Sequence, residues 1–228
     1  MSIARRVILG VAAAGAAYVV IRWVTGEFTP KPLPIASLGT TAAALPPGDP
    51  RMAERGVGLA AAPVTVTEWF SLTCPHCAAF HKDVFPQVKA ALIDTGKLRM
   101  VFRDFPLDQV ALNAAMVARS LPAERYEPFV GALLASQNRW AFAREVNSTE
   151  ELAKMAALAG LSREAFNAAV ADQGLRAAIL KAQEEGDKVY HVDSTPCFIF
   201  NGPAAKDTRE SGERSFEEFA KLVAAAAG

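Results

Sequence analysis

The chain has 228 residues, 51% of them hydrophobic, and its 24 basic and 24 acidic side chains give a formal net charge of zero. Such a balance provides no basic field for nucleic acid, so no nucleic-acid partner is expected. Three cysteines are too few for a scaffold held together by disulfides. The length allows one or two domains with a sizeable core.

Residues 1–28 have the pattern of a signal peptide or a membrane anchor. Arg5 and Arg6 precede an apolar run over residues 7–21. A run of about 15 residues suits the hydrophobic part of a signal better than a transmembrane helix, which needs about 20. The two arginines also weakly resemble a twin-arginine export signal. The sequence therefore predicts an exported, periplasmic protein, and leaves open whether the segment is cleaved or stays as an anchor.

Residues 29–52 are predicted to form a linker rich in proline and alanine. Its prolines stand at positions 30, 32, 34, 46, 47 and 50. A segment of this composition does not pack a core. The folded domain is therefore expected to begin near Ala53.

A strand predicted over residues 64–70 leads into two cysteines at the start of a helix. The first turn of a helix offers unpaired N–H groups and the positive end of the helix dipole to a thiolate. Cys74 precedes the first full turn and is predicted to be the exposed, attacking thiolate, whereas Cys77 is the shielded, resolving thiol. Pro75 suits the first turn, and His76 can add positive charge that lowers the thiol pKa.

The same Cys-x-x-Cys spacing also occurs as half of a zinc site. The remaining candidate ligands are Cys197, His76, His81 and His191. They form no second pair at similar spacing, so a redox dithiol is predicted, without a metal or cofactor. A site that binds a soft metal through Cys74, Cys77 and Cys197 stays open as an alternative. His81 and His191 are interpreted as surface groups or as groups behind the site.

After the cysteines, the sequence predicts a helix to about Asp94, kinked at Pro86. Alternating residues over 97–105 predict a second strand, parallel to the first with a right-handed crossover. Helices are then predicted at 109–121, 123–137, 149–159, 162–173 and 175–189. Ser148 is expected to begin a capping box. The aromatic residues in this part are interpreted as core: Tyr126, Phe129, Trp140 and Phe142.

Strand signals return near the carboxyl terminus. Residues 198–200 predict a buried strand, Asn201-Gly202 a hairpin turn, and residues 210–212 a short edge strand. Pro196 at the strand start cannot donate an N–H, so it marks an edge or a bulge. Ser215 is predicted to cap the last helix.

In combination, these motifs resemble a known family. Cys74-Pro75-His76-Cys77, with Glu68 on the preceding strand and Thr195-Pro196 downstream, is similar to the DsbA-like thiol–disulfide oxidoreductases of the thioredoxin superfamily. The resemblance implies an α/β, thioredoxin-like fold formed by residues 53–106 and 189–228, with an inserted helical domain over residues 107–188.

The resemblance also implies roles for individual residues. Thr195-Pro196 would be a cis peptide that faces Cys74 and exposes the Thr195 backbone to an extended substrate. Glu68 would be a partly buried carboxyl near Cys77 that relays the Cys77 proton. Its alternative interpretation is a solvent-facing strand residue.

The predicted activity is the introduction of disulfides into reduced or unfolded protein substrates by an exported monomer. A membrane redox partner, such as a quinone-linked oxidase, would remove the electrons. A reductase or isomerase with the same site is the alternative. Cys197 is interpreted as a small buried hydrophobe, or else as a third thiol that traps mixed disulfides.

Overall fold

The computed structural model describes residues 49–228. The Asp49 side chain accepts a hydrogen bond from the Arg51 backbone N–H (2.8 Å) and caps a 3₁₀ turn at Pro50–Met52. The Arg51 guanidinium also donates to Asp172 at 2.7 Å. The packed chain therefore begins before Ala53, within the last residues of the predicted linker. The predicted signal or anchor lies outside the described residues.

One mixed five-stranded sheet forms the centre of the fold. Its strands are β1 (Arg55–Val57), β2 (Val64–Phe70), β3 (Leu98–Asp104), β4 (Cys197–Gly202) and β5 (Ala205–Ser211). The spatial order is β1-β3-β2-β4-β5, with β2 and β3 parallel and every other neighbouring pair antiparallel. The parallel pair was predicted. Strand β1 was not, because three residues are too few for an alternating pattern to be recognised.

The helix that carries the cysteines, here α1, is continuous over residues 75–93 but changes its winding. Its α-helical and π-helical segments alternate as Pro75–Ala79, Phe80–Val84, Phe85–Val88 and Lys89–Ile93. The Phe85 N–H bonds to the Phe80 carbonyl, five residues back. The next residue, Pro86, has no N–H to donate. The sequence predicted a kink at Pro86, and the structure has a wider, π-helical turn directly before this residue.

Between β3 and β4 the chain is helical. The helices are α2 (Gln109–Arg119), α3 (Ala123–Ala135), α4 (Gln137–Trp140), α5 (Ser148–Leu158), α6 (Arg163–Ala171) and α7 (Gln173–Tyr190). The short helix α4 was not predicted, and two further details differ from prediction. The cap of α5 is Asn147 rather than Ser148, because the Asn147 side chain accepts from the N–H groups of Thr149 and Glu150. Phe142 is 48% exposed and is not a core residue.

The carboxyl-terminal hairpin turns two residues later than predicted. Asn201 and Gly202 belong to β4, and β5 already begins at Ala205. The Asn201 side chain instead accepts a hydrogen bond from the Asp207 N–H (2.9 Å) across the hairpin. The last helix, α8 (Phe216–Ala227), begins with the predicted Ser215 cap, which forms a capping box with Glu218.

Side chains of strand β2 alternate between the two buried faces of the sheet. Val66 and Phe70 pack in the larger core with α1, whereas Trp69 packs in a smaller cluster on the opposite face. The neighbouring strand β4 has the same alternation. Phe198, which pairs with Glu68, faces the larger core, and Cys197, which pairs with Trp69, faces the smaller cluster. Among the described residues, no helix combines the length and apolar content needed to cross a membrane.

Candidate active site

The two cysteines lie where β2 passes into α1. Cys74 is the N-cap of the helix, in extended conformation, and Cys77 lies in the first turn. Cys74 is only 4% exposed and Cys77 is fully buried, so the prediction of an exposed Cys74 is wrong. The cause is tertiary: the Cys74 thiol lies 3.2 Å from the backbone oxygen of Thr195, from the distant β4 segment, and donates to it.

The hydrogen bonds around Cys74 favour its thiolate. The largest contribution is the thiol of Cys77, which donates to the Cys74 sulfur. Burial opposes ionisation, but the Thr195 hydroxyl and the N–H groups of Cys77 and His76 add further donors. The Thr195 backbone oxygen, as an acceptor, favours the protonated form. The donors predominate, and the pKa of Cys74 falls from 9.0 to about 5.

The pKa of Cys77 is shifted in the opposite direction. Burial raises the pKa of the Cys77 thiol well above its ordinary value, and its hydrogen bond to Cys74 and the nearby charge of Glu68 raise it further. A low-pKa thiol is therefore paired with a high-pKa thiol. The predicted order, with Cys74 as the attacking sulfur and Cys77 as the resolving one, is the order that these pKa directions favour.

His76 contributes to the site through its backbone rather than through its ring. Its side chain is 70% exposed, and Nδ1 lies 3.4 Å from Glu213 Oε2. Solvent screens a charge in that position. The effect of His76 on the Cys74 pKa comes from its N–H group, not from the ring charge that the sequence suggested. Pro75 occupies the first helical position, as predicted.

The Thr195-Pro196 peptide is cis, as the resemblance implied. Thr195 is buried, and its hydroxyl has no hydrogen-bond partner among the described residues when the sulfur is protonated. The hydroxyl can thus donate to Cys74 once the thiolate has formed. Two segments more than a hundred residues apart are joined here around one sulfur.

Behind the dithiol lies a buried, hydrogen-bonded pair of titratable side chains, Glu68 and His81. Glu68 is fully buried, which excludes the solvent-facing interpretation and places it deeper than the partly buried position expected. Both of its carboxyl oxygens lie within hydrogen-bond distance of His81 Nε2, at 2.9 and 3.2 Å. The interpretation of His81 as a surface group is wrong, and it is a group behind the site. His191 is exposed and ends α7.

Sequence reasoning missed the residues that hold the loop before Cys74. The Gln137 side-chain amide donates to the carbonyls of Leu72 (2.9 Å) and Cys74 (3.0 Å). Thr73 donates to Asp108, whose other oxygen caps α2. Glutamine and aspartate are common in loops and helix caps, so nothing in the local pattern marked them.

A groove of about 370 Å³ opens beside Pro75. Its walls are α1 and the chain around α4, and its lining includes Ala78, Leu134 and Phe142. The groove places mixed polar and apolar surface next to the dithiol. It therefore provides room for a polypeptide segment to approach the active site.

Cys197 lies on the opposite face of the sheet from the dithiol. It is fully buried in the cluster with Trp69 and Ile199, and its sulfur lies 3.5 Å from the Ser211 hydroxyl. The sheet therefore separates Cys197 from Cys74 and Cys77, and this does not favour a shared metal site. Within residues 49–228, no three His, Cys, Asp or Glu side chains are grouped so that they could hold a metal ion.

Comparison with known proteins places this geometry in a family. The family model described as Thioredoxin matches residues 52–225. The crystal structure of Wolbachia pipientis alpha-DsbA1 is 30% identical in sequence, with a TM-score of 0.69 over 81% of this chain and 94% of that one. The chain belongs to the DsbA-like thiol–disulfide oxidoreductases of the thioredoxin superfamily. The predicted α/β, thioredoxin-like fold with inserted helices is confirmed.

Two further relatives extend the comparison. A Rickettsia conorii protein with the provisional name protein-disulfide oxidoreductase is 31% identical over 140 residues, 61% of this chain and 50% of its own length. The chain thus spans about half the length of the curated relatives it matches. Oxidised BdbD from Bacillus subtilis has a TM-score of 0.65 at 19% identity, over 75% of this chain and 91% of that one, and supports the fold alone.

In this DsbA-like chain, each segment of the thioredoxin-like fold contributes a different part of the site. The start of α1 supplies both sulfurs, β2 supplies Glu68, and the segment before β4 supplies the Thr195 contacts. The inserted helices hold the loop through Gln137. The arrangement can support thiol–disulfide exchange at Cys74, with Cys77 as the second sulfur.

Proposed function

We propose that this protein is an exported thiol–disulfide oxidase that introduces disulfides into reduced or unfolded protein substrates through Cys74 and Cys77. The observation that carries the proposal is the position of Cys74 at the start of α1, 3.2 Å from the backbone oxygen of Thr195 in the cis Thr195-Pro196 peptide, where the Cys77 thiol and other donors lower its pKa to about 5. Stabilising the thiolate stabilises the reduced enzyme. A disulfide whose reduced form is stabilised is a strong oxidant.

The size of this effect can be estimated at neutral pH. A thiol with a pKa of about 5 is almost entirely ionised at pH 7, whereas one with a pKa of 9.0 is almost entirely protonated. The difference stabilises the reduced form by about 3 kcal/mol. It raises the reduction potential by about 60 mV relative to an unperturbed dithiol. The direction of the shift favours an oxidase over a reductase.

The reaction begins with the oxidised Cys74–Cys77 pair. A substrate thiolate attacks the Cys74 sulfur, the Cys74–Cys77 bond breaks, and Cys77 leaves as a thiolate that takes up a proton. Glu68 is proposed to supply that proton and to accept it again in the reverse step. A second substrate thiolate then attacks the substrate sulfur of the mixed disulfide. Cys74 leaves as a stabilised thiolate, and the substrate keeps the disulfide.

Substrate binding is assigned to Thr195 and Pro196. The backbone oxygen of Thr195 already contacts the Cys74 sulfur. A substrate strand that pairs with this backbone would bring its own sulfur to Cys74. Pro75 and the His76 N–H complete the site from the start of α1.

The cellular setting follows from the residues ahead of the domain and from the chemistry. The proposed signal or anchor at residues 1–28 would place the domain in the periplasm, where disulfides persist. Each turnover leaves two electrons on Cys74 and Cys77. A membrane redox partner, proposed to be linked to quinone, would remove them. The enzyme is proposed to act as a monomer without a cofactor or a nucleic-acid partner.

The first test is the equilibrium between the Cys74–Cys77 pair and glutathione. We expect a potential near about −120 mV, the region of strongly oxidising dithiols. A value near about −270 mV would instead identify a reductase, because such a pair donates electrons. Cys197→Ala is the matched control, since it removes the third thiol and leaves both active-site sulfurs.

A second assay measures the reaction itself. Oxidised enzyme is mixed with a reduced, unfolded model substrate that regains activity only when its disulfides form. We expect stoichiometric transfer of one disulfide per enzyme. Failure of the oxidised enzyme to transfer its disulfide would reject the oxidase proposal even if the potential were high.

A further inference from the structure

Among the described residues, one side chain forms hydrogen bonds with the Glu68 carboxyl. It lies on the central strand β2 and is fully buried. Within residues 49–228 its hydrogen-bond partner is His81, whose Nε2 lies 2.9 and 3.2 Å from the two carboxyl oxygens. A buried carboxylate without a partner is strongly unfavourable. His81 is therefore what permits a charged or proton-sharing carboxyl at this position.

The surroundings of the imidazole are aromatic. Its ring stacks on Phe85 with centroids 5.0 Å apart. The other rings around it are Phe70, Phe80 and Phe102. Such an environment weakens solvent screening and strengthens the interaction between His81 and Glu68.

The titratable groups around the pair come from the elements packed on it. On α1, Cys77 faces the core, whereas Lys82 and Asp83 are exposed. From the inserted helices, Tyr126 is buried and hydrogen-bonded to Asp104 of β3. The Asp104 carboxyl is in turn neutralised by Arg119. Cys77 is thus the group near the pair that the reaction requires to change its protonation.

The helix brings Cys77 and the pair together. His81 follows Cys77 by four residues along continuous α1, so the two side chains lie on one helix face. That face packs on β2, where the charge of Glu68 acts on Cys77. Cys77, Glu68 and His81 therefore form one buried group on the side of the dithiol away from solvent.

From this arrangement we infer that His81 is a positioning residue for the resolving half of thiol exchange: it fixes the Glu68 carboxyl and shares the proton that passes between Glu68 and Cys77. The inference rests on the proposed function of the dithiol. It adds to that function a two-residue proton store, in which His81 Nε2 and the two Glu68 carboxyl oxygens, 2.9 and 3.2 Å apart, can share a proton.

The step can be written with its atoms balanced. When Cys74 carries a mixed disulfide, the Cys77 thiol gives its proton to the Glu68–His81 pair. The Cys77 thiolate attacks the Cys74 sulfur, the Cys74–Cys77 bond forms, and the bond to the outer sulfur breaks. The outer sulfur leaves as a thiolate and takes a proton from solvent. Cys77 is oxidised, the outer sulfur is reduced, and Cys74 stays at the disulfide level throughout the step.

Oxidation of the reduced enzyme by glutathione disulfide separates the two halves of this chemistry. In the first step Cys74 attacks glutathione disulfide and releases one glutathione. In the second step Cys77 releases the other glutathione from Cys74. Rapid quenching followed by mass spectrometry counts the mixed disulfide. We expect His81→Gln to slow the second step by at least about tenfold, while the first step stays within about twofold of wild type.

The pH profile distinguishes proton sharing from simple packing. We expect the pH dependence of the second-step rate to differ between wild type and His81→Gln, because in the variant solvent base, rather than the Glu68–His81 pair, accepts the Cys77 proton. Glu68→Gln should have the same effect as His81→Gln, and the double variant should be no slower than either. His191→Asn is the control: it removes an exposed histidine, and asparagine tolerates the left-handed backbone there.

A measurement on unaltered protein covers the case in which His81→Gln does not fold. Nitrogen-15 spectra of the imidazoles would be compared between the reduced and oxidised enzyme. We expect the His81 ring nitrogens to change their shifts with redox state, and those of His191 to stay constant. Unchanged His81 shifts would overturn the inference.

The outcomes separate the inference from the proposed function. A wild-type second-step rate and pH profile in His81→Gln would overturn the role of His81, and so would an equal slowing of both steps, since that reports general distortion. The oxidase proposal would survive either result. If the wild-type enzyme itself formed no mixed disulfide with glutathione disulfide, both the proposed function and the inference would be rejected.

Discussion

Buried cysteines occur on both faces of the central sheet, and their exposure does not tell them apart. On one face Cys74 is 4% exposed, and on the other Cys197 is fully buried. The difference lies in the groups around each sulfur. At Cys74, the Cys77 thiol, the Thr195 hydroxyl and two backbone N–H groups lower the pKa by favouring the thiolate. The cluster around Cys197 is mainly apolar, with a hydroxyl from Ser211 at 3.5 Å.

Reactivity in this protein therefore comes from preorganised donors rather than from access to solvent. A thiol becomes a nucleophile when its thiolate is stabilised, and the start of a helix supplies N–H groups for that purpose. A thiol packed among apolar side chains has no such supply. The dithiol face is therefore expected to carry the chemistry, and the Cys197 face to contribute packing.

The largest expected effect comes from removing each active-site sulfur in turn. Cys74→Ser should abolish exchange, because the attacking sulfur is gone. Cys77→Ser should instead accumulate mixed disulfides between Cys74 and substrates, because nothing inside the enzyme can release them. Non-reducing gel electrophoresis after trapping with acid distinguishes the two products. Equal residual activity in both variants would contradict the assigned order of attack.

A change of pH is expected to have an intermediate effect, on the free energy of unfolding, and the Cys74 contribution to it exists only in the reduced protein. The Cys77 thiol and the other donors depress the Cys74 pKa from 9.0 to about 5, so the thiolate stabilises the folded, reduced protein above the unfolded pKa and this stabilisation is lost as pH falls through about 5. Between pH 7 and pH 4 the reduced form should lose about 3 kcal/mol of unfolding free energy from this group. The raised pKa of Cys77 does not act in this range, since that thiol stays protonated.

Urea unfolding of the reduced and oxidised protein at both pH values measures this contribution as a difference between redox forms. The oxidised protein has no thiolate, so changes that it shares with the reduced form cancel. Reduced Cys74→Ser is the second control and should not show the extra loss. A reduced wild-type protein that follows the oxidised one at every pH would contradict the low pKa.

The smallest effect should come from Cys197. Replacing it with alanine removes one buried sulfur from an apolar cluster, at a cost of about 1 kcal/mol, similar to the loss of a buried methyl group. Exchange activity should equal that of wild type, because the sheet separates this sulfur from the dithiol. Urea unfolding and the glutathione equilibrium test the two statements separately. A shifted equilibrium would show that the two faces are coupled.

Several features could be predicted because their signals are local. The spacing of Cys74 and Cys77 marks a helix start, and alternation over 64–70 marks the strand before it. An irregularity of α1 near Pro86 could be expected because proline has no N–H to donate, and the winding does change directly before it. The hairpin turn was placed too early, because Asn201-Gly202 has turn propensity on its own while pairing with β5 and Asp207 decides where the chain reverses.

The contacts that tune the site could not be predicted, because they join distant segments. His81 gave no sign of its role: a histidine beside lysine and aspartate in a helix has the pattern of a surface residue. Its burial results from the packing of one helix face on β2, where Glu68 needs a partner. Gln137 lies more than sixty residues from the carbonyls it binds.

By itself, the sequence determined the chemistry available to this protein: two sulfurs at a helix start, a carboxyl on the preceding strand, and a proline after Thr195. These depend on residue type and short spacing, which the chain carries directly. Only the tertiary structure decided which thiol is activated and how deeply each lies, because hydrogen bonding and burial are set by whole elements packing together. The fold brings Thr195 to Cys74 and His81 to Glu68, and it keeps Cys197 on the other face.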